Sequence, residues 1–453
     1  MAELLADGGP AQRAPSRATS IDIRMTIQRS RRILPWLVFG GGFLLTTGIG
    51  ATIIGLSDGR RWGIDELRQR NLQINMDALA VLDFRGTDYW LLLALCVSIP
   101  ALGIIFYWLV GSPGQRATPP CVIGPALPVA RLFFACGIAW ILGRVFLGLP
   151  NALESIVGAW TGDIEYHYKV RYSIMAVLSP QEFGMAYTGL LILLTIPLRR
   201  ALVTSRTWEA WIEFGVWILA YEFLAIVLIQ KLLVSQSLLV IALSLCTAKN
   251  FVGQWKRLGL VCGLFFLLIH LAMSSLVSSW SATSTVDHII GRSADSYPYA
   301  IAIGPQHSFG IGQYIVGSLL GGPHVLGTTA QYNIDLYKLM YPKNEGAVSL
   351  AAPVWSYCDV GIWGAVITML IISGICSATS SLSRYVDASL WAWSVYILFL
   401  VQIYYLTQIP IIGIIFWSYS VVYGIAALGF VRVVATLLPS KTAPVQYAGM
   451  KNS

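Results

Sequence analysis

The chain has 453 residues, 56% hydrophobic and 11% charged, with a formal net charge of +8. Soluble globular domains carry about 25% charged residues, so a water-soluble core is excluded and a bilayer is implied. The positive balance does not point to nucleic acid, because the basic residues lie in short segments between apolar runs rather than on one soluble face.

Backbone groups in lipid must be satisfied internally, so the apolar runs are expected to be helices. Continuous runs such as 258–280 exclude the alternating strands, each about ten residues, of a membrane barrel. The expected fold class is therefore all-α, a polytopic integral membrane protein.

Residues 1–32 are expected to form a disordered basic tail, rich at first in Ala, Gly, Pro, Arg and Ser. The membrane domain then covers 33–431, and a second short tail covers 432–453. About ten spans are expected, near 33–56, 89–110, 129–149, 182–198, 209–229, 232–248, 258–280, 349–375, 389–408 and 411–431. The fifth and sixth form a tight hairpin turning at Gln230-Lys231, and Pro410 suits a turn between the last two.

Lys and Arg set the orientation. They are dense in the first tail (Arg13, Arg17, Arg24, Arg29, Arg31, Arg32) and in short same-side segments carrying Arg199, Arg200, Arg206, Lys249, Lys256 and Arg257. They are sparser per residue in the long segments of the other side, so both termini are expected in the cytoplasm. The larger external segments are then 57–88, 150–181 and 281–348. The first mixes both signs of charge and reads as solvated helix. The last contains Phe309–Leu320, an apolar stretch expected to lie in the interface plane, followed by Tyr332, Tyr337 and Tyr341 at headgroup level.

Six of the seven cysteines fall in apolar runs and none forms a CxxC pair, so neither a disulfide framework nor a zinc site is expected. Walker A, GxGxxG, HExxH and GxSxG patterns are absent, so no nucleotide cofactor is implied. No repeat and no inverted pair of broken helices is evident, which weakens a secondary-transporter reading.

The candidates for chemistry concentrate in the external segments. The segment 150–181 offers Asp163, Glu165, His167, Lys169 and Arg171, interleaved with Tyr166, Tyr168 and Tyr172. The segment 281–348 offers Asp287, His288, Arg292, Asp295, His307, His324, Asp335, Lys338, Lys343 and Glu345. Aromatics among polar groups suit a sugar, whose ring face is apolar. Arg171 and Arg292 suit phosphate, because guanidinium contacts are planar, bidentate and permanently charged. Such cations stabilise a diphosphate leaving group more as its charge grows. Asp163, Asp295 or His288 is positioned in sequence to act as a general base on a hydroxyl. Against this stand plainer roles: interfacial tyrosines are common anchors, and Arg131 and Arg144 near span ends are expected to snorkel. Within the spans Glu209, Glu213, Glu222 and Asp359 stand out as ionisable groups. Glu209 and Glu213 lie near the inner surface, whereas Asp359 is expected one or two turns inside the outer boundary.

The segment ending in Tyr166–Arg171, the run Pro197-Leu198-Arg199-Arg200, the long segment with Arg292, and Ala352–Gly364 with its aromatic-x-Asp-x-Gly-x-x-Gly pattern together resemble the Wzy-type O-antigen polymerases. The resemblance covers about 130–375 and rests more on topology than on sequence. It implies a GT-C-like bacterial inner-membrane glycosyltransferase that joins undecaprenyl-diphosphate-linked oligosaccharide units at the periplasmic face. Its implied partners are lipid-linked oligosaccharides, membrane lipids, a chain-length regulator and a flippase. In that frame Arg171 and Arg292 hold diphosphate, Asp163, Asp295 or His288 activates the acceptor, and Tyr166, Lys169, His307, Tyr332, Asp335, Tyr341 and Asp359 contact substrate. Asp163-Ile164-Glu165 also resembles the acidic pair that binds a divalent metal in some membrane glycosyltransferases. There it usually lies in the first external loop; here it lies in the second, and no metal is expected. An O-antigen ligase uses the same donor and is the nearest alternative; a polysaccharide flippase or transporter is a further one.

Overall fold

The computed structural model describes residues 17–57, 85–110, 127–162, 164–203, 208–229, 231–248, 255–274, 280–291, 293–303, 337, 348–411 and 421–437. All regular structure among them is helical. Helix α1 (Arg17–Phe43) passes through a π-helical turn (Leu44–Gly48) into α2 (Ile49–Leu56). There follow α3 (Thr87–Leu109), α4 (Leu127–Gly148), the short α5 (Ala152–Thr161) and α6 (Ile164–Val177), then α7 (Pro180–Val203) and α8 (Trp208–Val227). Next come α9 (Lys231–Ala248), α10 (Trp255–Ser274), and the short α11 (Ala282–Gly291) and α12 (Ser296–Ile303). The last are α13 (Ala352–Val360), α14 (Ile362–Leu382), α15 (Leu390–Tyr405) and α16 (Val421–Leu437).

Among the described residues, five stretches are long and apolar enough to cross a membrane: Thr26–Leu56, Thr87–Leu109, Leu127–Gly148, Trp208–Val227 and Ile362–Tyr385. The chain is a helical membrane protein by that criterion. Large apolar side chains such as Trp140, Phe146, Trp211, Leu219 and Leu271 are exposed on the outside of the bundle. Such a surface belongs in lipid, where leaving them uncovered costs nothing.

Helices α1 and α3 run in opposite directions. Near the start of α3, the Tyr89 hydroxyl donates to the Ala51 carbonyl at 2.5 Å, whereas near its end Gly103 makes room for the Trp36 ring. Helix α14 returns beside α1 so that Ser380 donates to the Arg32 carbonyl. One end of the molecule therefore collects Arg31, Arg32, Arg199, Arg200, Arg384 and Asp387, and is called the basic end below. The other is the far end.

Among the described residues two large apolar cores result, with two smaller clusters beside them. The first gathers residues of α4 to α9 around α7, whose Leu190–Leu198 segment is buried on every side. The second gathers residues of α1, α2, α3, α12, α13 and α14. Helix α15 joins them: Trp393, Tyr396 and Tyr405 enter the first core, and Ile403 with the following Leu406 enters the second.

Four features depart from expectation. Helix begins at Arg17, inside the stretch expected to be a disordered tail, because no Gly or Pro interrupts 17–34 and the end of that stretch is buried. The expected loop 150–181 is a helical hairpin, α5 and α6, in which Ile156, Ala159, Val170 and Ile174 are buried. The expected external segment 281–348 contains α11 and α12, and its Tyr297, Tyr299 and Ala300 belong to the second core. The expected span 349–375 is broken at Gly361, where φ is +69° and ψ −156°. That conformation is essentially restricted to glycine.

The break lets α13 fold back on α14. Thr368 donates to the Ser356 hydroxyl at 2.6 Å, a contact impossible between residues twelve apart on one straight helix. Gly364 faces the Ser356 carbonyl so closely that a Cβ there would lie 2.2 Å from the oxygen.

Candidate functional site

The basic end is closed by its own backbone and carboxylates. Pro35 has no N–H, so the Arg31 carbonyl loses its helical partner. The buried Tyr396 hydroxyl replaces it at 2.5 Å. The Arg31 side chain, 5% exposed, donates to the Thr247 carbonyl at 2.7 Å and to Asp387 at 2.6 Å. Arg199 donates to the Asp387 carbonyl and stacks over Trp393, while Arg131 and Arg200 converge on Glu213. Arg131 is thus an ion-pair partner and not a snorkelling residue. Arg144 is exposed and donates to the Val177 carbonyl at 2.6 Å, fastening the end of α6.

The far end is built differently, and it holds two clusters. The first is the α5–α6 hairpin. His167 is buried, with Nδ1 2.9 Å from the Ala159 carbonyl and its ring edge-on to Trp160, so it fixes α6 on α5. Trp160 in turn donates to the Ile226 carbonyl of α8. His167 is therefore structural. The opposite side of α6 exposes Tyr166, Lys169 and Tyr172, a stripe of two aromatics and a cation at helical spacing. Arg171 sits half-buried at the edge of that stripe. Among the described residues no carboxylate or carbonyl pairs with it.

The second cluster is a knot of irregular backbone where α2, α11–α12, α13 and the end of α15 meet. The π turn widens the first helix, and the Thr46 carbonyl accepts from the Ser293 N–H at 3.0 Å. The Ala352 N–H caps α15 at the Leu406 carbonyl, 2.8 Å away. Ser349 donates to the Gln408 carbonyl and Ser296 to the Ser349 carbonyl. Tyr357 donates to Asp88 at 2.7 Å, and Tyr297 to the Tyr89 carbonyl at 2.7 Å. Non-helical backbone at this depth is tolerated only where protein buries it or where it lines a polar cavity.

Two hydroxyls in this knot find no partner among the described residues. Ser293 is 0% exposed and Tyr299 is 2% exposed. A buried hydroxyl without a hydrogen bond is costly, so a polar group from outside the described chain is the natural complement. Asp295 lies between them in sequence, half-buried, in the turn that joins α11 to α12.

The expected site residues divide accordingly. Arg171, Tyr166 and Lys169 share α6, which belongs to the first core, whereas Asp295 adjoins Ala294 and Tyr297 in the second. His288 is on α11, which packs against the π turn and α2, and Asp359 is in the last turn of α13; their side chains lie outside the described residues. Arg292, Asp163, His307, Tyr332, Asp335 and Tyr341 lie outside the described residues altogether. Tyr337 is described and packs, half-buried, against the second core. Sequence reasoning passed over Ser293, Tyr299, Gln236 and Ser237. The polar triplet Ser235-Gln236-Ser237 inside an apolar run was the one signal it offered.

Comparison with protein-family models, with curated proteins and with solved structures finds no match to this chain.

Proposed function

We propose that this chain is a membrane glycosyltransferase that extends a polysaccharide by joining lipid-diphosphate-linked oligosaccharide units. The observation that carries the reading is Arg171. Each buried or half-buried arginine named at the basic end has a partner, whereas Arg171 is half-buried with none among the described residues and stands beside exposed Tyr166, Lys169 and Tyr172. A cation kept ready next to aromatic rings suits an anionic lipid-linked glycan: guanidinium for diphosphate, rings for sugar faces. Arg292 is the second cation of the proposal. Asp295, at the edge of the knot with unpartnered hydroxyls, is the favoured general base over Asp163 and His288.

In the proposed step the acceptor hydroxyl attacks the anomeric carbon of the donor. The bond from that carbon to the diphosphate oxygen breaks, and the acceptor proton passes to the base. Charge grows on the diphosphate as it leaves, and Arg171 and Arg292 stabilise that growth. Holding two lipid-anchored chains in one place supplies much of the remaining rate gain. The proposal includes ten crossings, both termini in the cytoplasm of a bacterial inner membrane, and the far end at the periplasmic side. Lipid-linked oligosaccharides are its substrates, with a chain-length regulator and a flippase as partners.

One feature favours a second reading. The break at Gly361 makes a discontinuous helix, and discontinuous helices form substrate sites in transporters. The experiment that separates the two gives purified protein in lipid a lipid-linked repeat unit and measures glycan length. Longer glycan with released lipid diphosphate supports transfer. Movement of the unit across the bilayer with no new glycosidic bond sinks it. Arg171→Ala is expected to abolish long polysaccharide in cells while leaving inserted protein abundant. A normal length ladder from that variant removes the diphosphate assignment. A periplasm-active reporter is expected to be active after Asn333 and silent after Arg206.

A further inference from the structure

Helices α8 and α9 form a hairpin whose facing sides carry polar residues inside an otherwise apolar span. Glu222 lies within the candidate span Trp208–Val227, and no described cation pairs with it. Its Oε1 accepts from the Ser237 hydroxyl at 2.5 Å. In the adjoining rung the Tyr221 hydroxyl meets the Gln236 Oε1 at 3.2 Å and the Tyr187 hydroxyl of α7 at 2.8 Å. Gln236 is 2% exposed, and its Nε2 has no hydrogen-bond partner among the described residues.

Polar rungs can fasten a membrane hairpin. Two features exceed that task. Fastening needs an amide or a hydroxyl, yet a carboxyl stands here, and an unpaired ionised carboxylate is costly within a membrane. The neighbouring amide is buried with its donor side unmet, so a further oxygen belongs beside it. The chemistry is that of a site for one positive charge: a single carboxylate, an amide carbonyl and hydroxyls, all hard oxygen donors. A divalent ion would leave one charge unbalanced.

We propose that Glu222, with Ser237, Gln236 and Tyr221, forms an intramembrane site for one monovalent positive charge, a proton or a sodium ion. The groups facing it come from α9 (Gln236, Ser237) and α7 (Tyr187). The arginines that reach α8 from α4 and α7, Arg131 and Arg200, are engaged by Glu213, about two and a half turns away along α8. The site is independent of glycan transfer and stands or falls separately.

The test is labelling of the full-length protein in membranes with a hydrophobic carbodiimide, which reacts with protonated carboxyls in apolar surroundings, followed by mass spectrometry of the Glu222 peptide. Labelling at Glu222 is expected at low pH, falling about tenfold for each pH unit above its midpoint. Suppression by sodium at fixed pH, absent with potassium, assigns the metal ion. A pH-dependent label indifferent to sodium assigns the proton. A Glu222 that labels at no pH, or labels equally at all pH values with and without sodium, overturns the proposal and leaves the hairpin a packing device. The parent protein supplies all these outcomes, so a misfolded variant cannot obscure them.

Discussion

The two ends of this molecule treat polar groups in opposite ways. At the basic end every departure from regular helix is answered. Pro35 leaves the Arg31 carbonyl without its helical donor, and Tyr396 supplies one. Arg31 itself is answered by Thr247 and Asp387, and Glu213 receives two arginines. At the far end the helices break, the carbonyl of a π turn is met by a distant backbone N–H, and the Ser293 and Tyr299 hydroxyls are met by no described residue. Both regions are buried and both are polar, so burial alone does not separate them. The difference lies in the cations: those of the basic end are met by carboxylates or carbonyls, although the Arg131 Nε and Trp393 Nε1 atoms find no partner among the described residues, whereas Arg171 at the far end is met by no described carboxylate or carbonyl. By that criterion the arginines of the basic end hold the fold together, and Arg171 does not.

The largest effect expected is at the basic end. Arg31→Ala removes the donor to the buried Thr247 carbonyl together with the pair to Asp387, and should cost about 3 kcal/mol. Asp387→Ala should cost less than about 1 kcal/mol, because that side chain is 66% exposed. Thermal unfolding of detergent-solubilised protein measures both. A small loss at Arg31 would mean the basic end is not the structural one.

The break at the far end comes next. Gly361→Ala forces a side chain onto φ +69°, at about 1–3 kcal/mol. Gly364→Ala pushes a methyl group into the Ser356 carbonyl and should displace α13 from α14, at about 1–3 kcal/mol. If the broken helix serves the site, both variants lose activity beyond what their melting temperatures explain. If activity follows melting temperature alone, the break is only a way of packing α13.

How much of this was legible beforehand follows from which forces act locally. Apolar runs near twenty residues announce helices, and the expected 89–110 and 209–229 fall on Thr87–Leu109 and Trp208–Val227. The break at Gly361 was hidden because a glycine among aromatics reads equally well as a close-packing position. The hairpin in 150–181 was hidden because its charged and aromatic residues suggested a loop, although His167, Val170 and Ile174 carry a helical spacing. Arg171 was legible as a cation; that no described residue pairs with it depends on how α6 lies against α4 and α5, which no local pattern encodes. Ser293 and Tyr299 were invisible for the same reason: serine and tyrosine are common, and only their burial without partners sets them apart. Pairings such as Tyr396 with Arg31 join residues from opposite ends of the chain, beyond the reach of any periodicity.

The smallest effect expected makes the sharpest comparison. Tyr396 and Tyr299 are both buried phenols, one at each end of the molecule. Tyr396→Phe leaves the Arg31 carbonyl without a donor and should cost about 1–3 kcal/mol. Tyr299→Phe deletes a hydroxyl that no described residue engages, so stability should change by less than about 0.5 kcal/mol. A ligand that uses the hydroxyl would then betray itself as lost activity at unchanged melting temperature. Equal destabilisation by the two substitutions would show that Tyr299 is held by the fold as tightly as Tyr396. In that case the far end is as complete as the basic end, and the contrast that singles out Arg171 loses its meaning.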